Sequence, residues 1–298
     1  MDATDSQAVN GPITKYQHLG QFDRFEFTAG FMAAFGKSGR FNANAMIPMI
    51  DLLGMIERDR TITDIRWAAY MLATVMWETT SPVTTLVQAH NKKGKPLVGK
   101  DGKPVLLKRR RWLMTMSPVA EVGFGKGRNY HEPVKVKLTL TGDAEITEQD
   151  GDRFSVSPTG AITNLTKKAK MGTVDGGPAS KVYEEAEGDE HAYFGRGYVQ
   201  LTWWSNYAKA GAAVGKGLSL LTNPDLVKEP QTAYTIMSHG MVTGFGFANG
   251  RKFSDYFTHT KTDYIHARRM VNGSDHAADI AAIAQKFEAI LLKARVAP

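Results

Sequence analysis

Hydrolysis by acid–base catalysis needs a carboxylic acid that stays protonated at working pH and, as a rule, a second carboxylate to activate water. Glu78 meets the first requirement by position. It follows Trp77 on the last turn of an apolar helical stretch, three residues after Val75 and seven after Met71. There the negative end of the helix dipole and the apolar neighbours both disfavour the ionised form, which pushes the pKa up. A solvated glutamate at a frayed helix end would occupy the same position and do no chemistry. The second feature is AYFGRGYVQLTWWSNYAKAG, residues 192–211. Two glycines flank Arg196, which implies a closely packed turn with unusual dihedrals. Gln200, Thr202, Trp203, Trp204, Asn206 and Tyr207 follow. Their amides, hydroxyls and flat rings are what a sugar needs for directional hydrogen bonds and stacking. On composition alone the block reads equally well as a core aromatic cluster beside a polar turn.

Helices on either side of a β-rich stretch must position these groups. Residues 22–82 read as helical, with one stripe of Phe25, Phe27, Phe31, Met32 and Phe35 and another of Met46, Met49, Ile50, Leu53 and Ile56. A third helix starts at Thr61–Asp64, which have capping-box spacing, runs to about Thr79, and is ended by Pro82. Residues 84–190 change texture. GKPLVGKDGKPVLLK holds a near-repeat around an Asp101-Gly102 turn, a hairpin signal. VKVKLTLTG, AEITEQDGD, RFSVSPTG and AITNLT then follow with a turn at each junction, as a small antiparallel meander would. The helical period returns from about Asn206. Ala233, Ile236, Met237, Gly240 and Met241 make one face, and Ile265, Ala267, Arg268 and Val271 a short helix. A last helix is capped by Ser274 or Asp275 and buries Ile280, Ile283, Ala284, Phe287, Ile290 and Leu291. Because neither helical block is large enough alone, residues 1–298 are expected to form one α+β domain, mainly helical, with a β-rich insertion at about 84–190.

The composition narrows the chemistry. The 298 residues include no cysteine, which excludes disulfide frameworks, thiolate metal sites and a cysteine nucleophile. The eight histidines show no HExxH-type spacing, so a zinc peptidase is disfavoured and no metal or other cofactor is expected. No run approaches a membrane span, and the first residues lack the basic start and apolar run of a secretory signal. The formal charge of +7 favours anionic partners without naming one.

The GRG-QLT block resembles the signature of glycoside hydrolase family 19, the chitinases and lysozyme-like phage endolysins with a [FY]-x-G-R-G-x-x-Q-L-[ST]…N-Y core. WETT at 77–80 is similar to that family's HET motif, VNGSD at 271–275 to its Asn-Gly element, and MSPVAEVGFGKGRNY at 116–130 to a stretch found in endolysins after the catalytic helix. The segment from Ala267 to Leu292 is like the endolysins' C-terminal helix. The resemblance implies a lysozyme-like fold and an inverting mechanism, with carboxyls about 6.5–9.5 Å apart. Carried over, it makes Glu78 the general acid, Glu121 the general base and Thr202 a holder of the water. Gln200, Asn206 and Asn272 would bind sugar, with Tyr193, Trp203 and Tyr207 also at the substrate, and Arg196 would contact it or support the site from behind. Trp77 stands where many relatives have His, and the basic stretch at 84–113 separates the two carboxylates. Glu184, Glu185, Glu187 and Glu190 are rival bases, although acidic runs are usually solvated loops.

The expected substrate is bacterial peptidoglycan, cut between N-acetylmuramic acid and N-acetylglucosamine by a monomer made in the host cytoplasm and released to the wall. A chitinase and a non-catalytic wall-binding module are the alternatives. The basic stretch Lys92–Arg111 reads as a contact to an anionic envelope; a nucleic-acid patch would not explain the GRG-QLT block. If surface charge steers the chain to an anionic wall, wall lysis falls as salt is added, because screening shortens the reach of exposed charges. Turbidity clearing that is flat with ionic strength would remove charge from the account.

Overall fold

The computed structural model describes residues 19–166 and 188–296. Helices α1 (Arg24–Phe35), α2 (Met46–Arg58) and α3 (Ile65–Glu78) come first. A β-rich stretch follows, and then α4 (Trp204–Ala213), α5 (Ser219–Thr222), α6 (Pro230–Thr243) and α7 (Ala277–Ala294). The architecture is α+β and mainly helical.

Helix α3 is the centre of the helical part. Every residue from Ala68 to Met76 is buried, so it has no solvent face, as a helix apolar on all sides requires. Tyr70 packs among Phe253, Phe257 and Tyr264, and Trp67 stacks on Phe253 with centroids 5.0 Å apart. Helix α7 lies along α3 and α1, and its Phe287 meets Phe31 and Phe35 of α1. In α1, Phe27, Phe31 and Phe35 are buried, whereas Phe25 and Met32, counted in the same stripe, point outward. The α2 stripe holds, with Met49, Leu53 and Ile56 buried and Met46 and Ile50 packed at its edge.

Three helix ends are made differently from the sequence reading. The cap of α3 is Asp64, which accepts from the Arg66 N–H at 2.8 Å; Thr61 is tied instead to Asp59. An Asx-type cap competes directly with the capping box and here wins. Helix α3 ends at Glu78, at the expected place, but the stop is the Thr79 hydroxyl returning to the Val75 carbonyl at 2.7 Å and not Pro82, which belongs to the following strand. Helix α7 starts after His276 at φ 53°, with no side-chain cap from Ser274 or Asp275.

The β-rich stretch has three parts. Strands β1 (Ser81–Gln88) and β2 (Leu106–Leu113) pair antiparallel from Ser81↔Leu113 to Gln88↔Leu106. The near-repeat between them makes two tight turns in succession, at 91–95 and at 99–103, so Ala89 bonds to both Leu97 and Val105. The Asp101-Gly102 turn is the second of these, with Gly102 at φ 75°. The meander consists of β4 (Val134–Leu138), β5 (Ala144–Thr147), β6 (Arg153–Val156) and β7 (Ile162–Asn164). Strand β8 (Asp189–His191) joins its open edge, giving the order β7-β6-β5-β4-β8. Gly142, Gly151 and Gly160 supply the positive φ that its three turns require. Finally β3 (Val119–Ala120) pairs with β9 (Arg196–Gly197) and brings two distant parts of the chain together.

The aromatic seam between α1 and α7 is a direct test of this packing. Phe287→Ala should lower the unfolding free energy by about 3–5 kcal/mol through lost burial and the cavity left behind. Urea denaturation reads it; a loss under about 1 kcal/mol would mean that α7 does not pack on α1 as described.

Candidate functional site

Glu78 ends the buried central helix and is itself largely buried, its side chain 15% exposed. Its carboxylate is bonded by the guanidinium of Arg268, which is 3% exposed. Arg268 sits in a 3-10 turn (His266–Met270), and its Nε donates to the Asp275 carbonyl at 3.0 Å. Burial pushes the Glu78 pKa up and outweighs Arg268, which pulls it down by charge and by hydrogen bond. The group is thus an acid held in its proton-bearing form to higher pH than an ordinary glutamate, beside a cation that moderates the effect.

Trp77 lies between two cationic or titratable groups. The Arg40 guanidinium stands 4.7 Å from its ring centroid and the His276 ring 4.7 Å away. The position that many relatives give to His is therefore a packing position here, and a His is supplied from the 271–276 loop. Asn272 is exposed on that loop, and its side-chain oxygen accepts from the Gly273 N–H.

Glu121 follows β3. One carboxylate oxygen accepts from the Tyr130 hydroxyl at 2.9 Å and the other from the Gly195 N–H at 3.1 Å. The Glu121 N–H donates to the Gly195 carbonyl at 2.7 Å, so the two residues are locked by a reciprocal pair. A Cβ on Gly195 would lie 3.2 Å from Glu121 Oε2 and 3.0 Å from Gln200 Oε1, closer than real side chains normally sit. The first glycine of GRG leaves room for this approach. The second, Gly197, is at φ 83° with Val227 against it. Burial, together with the bond to Glu121, pushes Tyr130 up to about 12, which keeps it a neutral donor.

The GRG turn is held from beneath. Arg196, 5% exposed, pairs with Asp225 at 2.9 Å, donates to the Ala192 and Phe194 carbonyls and the Tyr207 hydroxyl, and lies 3.5 Å from the Phe194 ring centroid. Tyr207 is fully buried and donates to the Phe194 carbonyl; Tyr193 is buried and donates to the Leu221 carbonyl. Tyr193 and Tyr207, expected at the substrate, and Arg196, expected there or behind the site, are thus placed as supports with their polar atoms committed inside the protein. Gln200 joins them in part. At φ 51°, it donates to the Val119 and Gly197 carbonyls and so ties β3, which leads into Glu121, to the GRG turn.

The exposed side of the turn is different. Trp203 is 45% exposed, with φ 69°, and meets Tyr130 edge to face at 5.8 Å. Thr202 and Asn206 are half-buried beside it, and the Asn206 amide donates to the Thr202 carbonyl. A cavity of about 190 Å³ opens here between Tyr130, Trp203 and the meander turn around Glu148–Asp150. Trp204 faces the meander, donating to Glu148 and packing on Phe154.

The long hairpin between the two carboxylates is closed at its base. Because Ser81 pairs with Leu113, the chain returns to its starting point after the β1–β2 hairpin. Thr115 then donates to the Thr79 carbonyl at 2.9 Å, and the Met116 N–H to the Thr79 hydroxyl at 3.2 Å. The rival bases Glu184, Glu185 and Glu187 lie outside the described residues. Glu190 is exposed on β8 opposite Lys135. Sequence reasoning missed Arg268, Tyr130 and Asp225 as partners. The signal for the first was an arginine on the apolar side of a short helix, which must find a carboxylate when buried.

Residues 148–243 match the family model of glycoside hydrolase family 19, chitinase class I. Over that third of its length the chain is similar to glycoside hydrolase family 19. It is 43% identical over 68 residues to the acidic endochitinase pcht28 of Solanum chilense, covering 23% of this chain and 26% of that protein. It is 41% identical over 69 residues to an acidic 26 kDa endochitinase of Solanum lycopersicum, with the same coverage. An Arabidopsis thaliana endochitinase is 51% identical over 43 residues, 14% of each chain. The chain thus spans about a quarter or less of the length of these curated relatives. No solved structure matches significantly. The matched segment contains the GRG turn, Gln200, Thr202, Trp203 and Asn206, whereas Glu78, Glu121 and Asn272 lie outside it.

The Arg268–Glu78 pair generates a pH prediction. Arg268 favours ionised Glu78, so Arg268→Gln should raise the Glu78 pKa further and move the alkaline limb of kcat/KM to higher pH. A limb that stays in place or moves down would show that Arg268 does not set the acid.

Proposed function

We propose that this chain hydrolyses the β-1,4 link of an N-acetylglucosamine-containing polymer with inversion, Glu78 acting as acid and Glu121 as base. The observation that carries the reading is the contrast between the two carboxyls. One is buried and biased toward its protonated form; the other is an acceptor fixed on the family's GRG turn by Gly195 and Tyr130. Glu78 gives its proton to the glycosidic oxygen as that bond breaks. A water attacks the anomeric carbon from the opposite face and gives its proton to Glu121, so the product forms with inverted configuration. Trp203, 45% exposed, offers a ring face to a sugar, and the half-buried Thr202 and Asn206 lie beside it as polar groups.

The substrate we favour is peptidoglycan, cut between N-acetylmuramic acid and N-acetylglucosamine. The support is the likeness of residues 116–130 and 267–292 to stretches found in endolysins. Chitin is the second reading, favoured because the Solanum relatives are named endochitinases.

The test is digestion of purified peptidoglycan and of chitin oligomers by the wild type, Glu78→Gln and Glu121→Gln, with fragments read by mass spectrometry. Each variant should lose about 100-fold or more. Fragments with reducing muramic ends support the peptidoglycan reading, and turnover of chitin alone replaces it with the second. An active Glu121→Gln would move the base to Glu190 or its neighbours. No turnover of either polymer leaves a binding module.

A further inference from the structure

The β1–β2 hairpin is the least integrated part of the described chain. The two strands are each other's main neighbours, and seven of the eight residues of β2 are exposed. Its return to the body is made at its base, by Ser81↔Leu113 and by a bond from Arg111 to the Gly39 carbonyl. A two-stranded ribbon exposed on both faces gains little from burial and is marginal in water by itself.

Two properties coincide on it. The first is charge. Between Lys92 and Arg111 there are nine Lys and Arg residues, all exposed, against the single acid Asp101. That is a net +8, so with the whole chain at +7 everything outside this segment sums to −1. The cationic character of the protein resides in its hairpin. The second property is apolar exposure. Leu86, Val98, Leu106, Leu107 and Trp112 are 61%, 58%, 51%, 48% and 54% exposed on the same ribbon. In the strand register Leu86 faces Lys108 and Gln88 faces Leu106, so apolar and basic side chains alternate along the surface and are not segregated.

We propose that this hairpin is a docking element for an anionic lipid surface. A nucleic acid or an anionic polysaccharide would neutralise the cations but leave the leucines and Trp112 in water. A lipid surface accounts for both. Lys and Arg stems lie along the acyl boundary with their heads at the phosphates, leucines enter the boundary, and a tryptophan sits at headgroup level. Insertion is shallow, and no helix among the described residues is long and apolar enough to cross a membrane. The hairpin leaves the body three residues after Glu78, so docking sets the catalytic helix end beside the surface. This holds whether or not the glycosidase reading does.

The experiment is co-sedimentation of the full chain with vesicles of phosphatidylcholine alone or mixed with an equal part of phosphatidylglycerol. The wild type should bind the anionic vesicles at least tenfold more tightly. Arg109→Ser/Arg110→Ser/Arg111→Ser should weaken that binding tenfold or more. Leu106→Ser/Leu107→Ser, which keeps every charge, should weaken it comparably while leaving hydrolysis of soluble substrate unchanged. On the wild type, brominated phosphatidylglycerol should quench the fluorescence that Trp112→Phe removes, a readout that needs no variant of the basic or leucine positions. Binding that is indifferent to the leucine pair, or equal binding to duplex DNA or dextran sulfate, would overturn the lipid assignment in favour of a general polyanion site. Absence of vesicle binding by the wild type would overturn it outright.

Discussion

A carboxylate and a guanidinium are buried together at the end of α3, and much of the molecule is arranged around that pair. A charge removed from water without a partner is very costly, so Glu78 and Arg268 each make the other's burial tolerable. The pair joins the C-terminal end of the central helix to the turn that precedes α7, two elements 190 residues apart. It also opposes burial in setting the proton affinity of Glu78. Burial wins, and the acid stays protonated further up the pH scale. An apolar replacement of the pair would serve the fold as well or better, by the usual balance of buried ion pairs. Its presence is therefore better explained by the chemistry of Glu78 than by stability.

The second carboxylate is fixed by a different means. Glu121 stands on irregular backbone after a two-residue strand, a weak platform by itself. Rigidity comes from the GRG turn, which reaches Glu121 through the backbone of Gly195 and is itself pinned by Arg196 among carbonyls and the Tyr207 hydroxyl. A buried arginine with several fixed acceptors suits this role because its planar fork is already organised for them. The residues of the motif divide accordingly. Arg196, Tyr193, Tyr207 and Gln200 hold the turn, while Trp203 and the half-buried Thr202 and Asn206 face outward.

Much of this was legible in the residues. The periodicities of α2, α6 and α7 and the turn glycines of the meander report local physics, and each element formed close to where its pattern stood. Glu78 fell on the last residue of its helix for the same reason. The partners were not legible. Which carboxylate would meet Arg268, and that Tyr130 would turn back on Glu121, depend on contacts 190 and nine residues apart that no local pattern encodes. Nor does a motif distinguish a residue that touches a ligand from one that supports it. Tyr193 and Tyr207 read as sugar contacts because aromatic rings serve both ends, and burial alone separates the two. The helix ends were misread at Thr61, Pro82 and Ser274 because several cap-forming residues competed within a few positions of each other.

The hairpin shows how such a fold accepts an insertion between its two carboxylates. What positions Glu121 relative to Glu78 is the closure at Ser81↔Leu113 and the bonds from Thr115 and Met116 to Thr79. Loop-closure entropy grows only slowly with length, so a segment that leaves and returns through one antiparallel pair can lengthen with little penalty to the site. That freedom explains why the charge could collect there. Nine cations on the body would repel one another across a compact surface and perturb a buried acid; on an exposed ribbon they are solvated and screened from Glu78. The end of α3 that carries Glu78 therefore keeps an electrostatic environment set by burial and by Arg268, while the hairpin answers to whatever surface the protein meets.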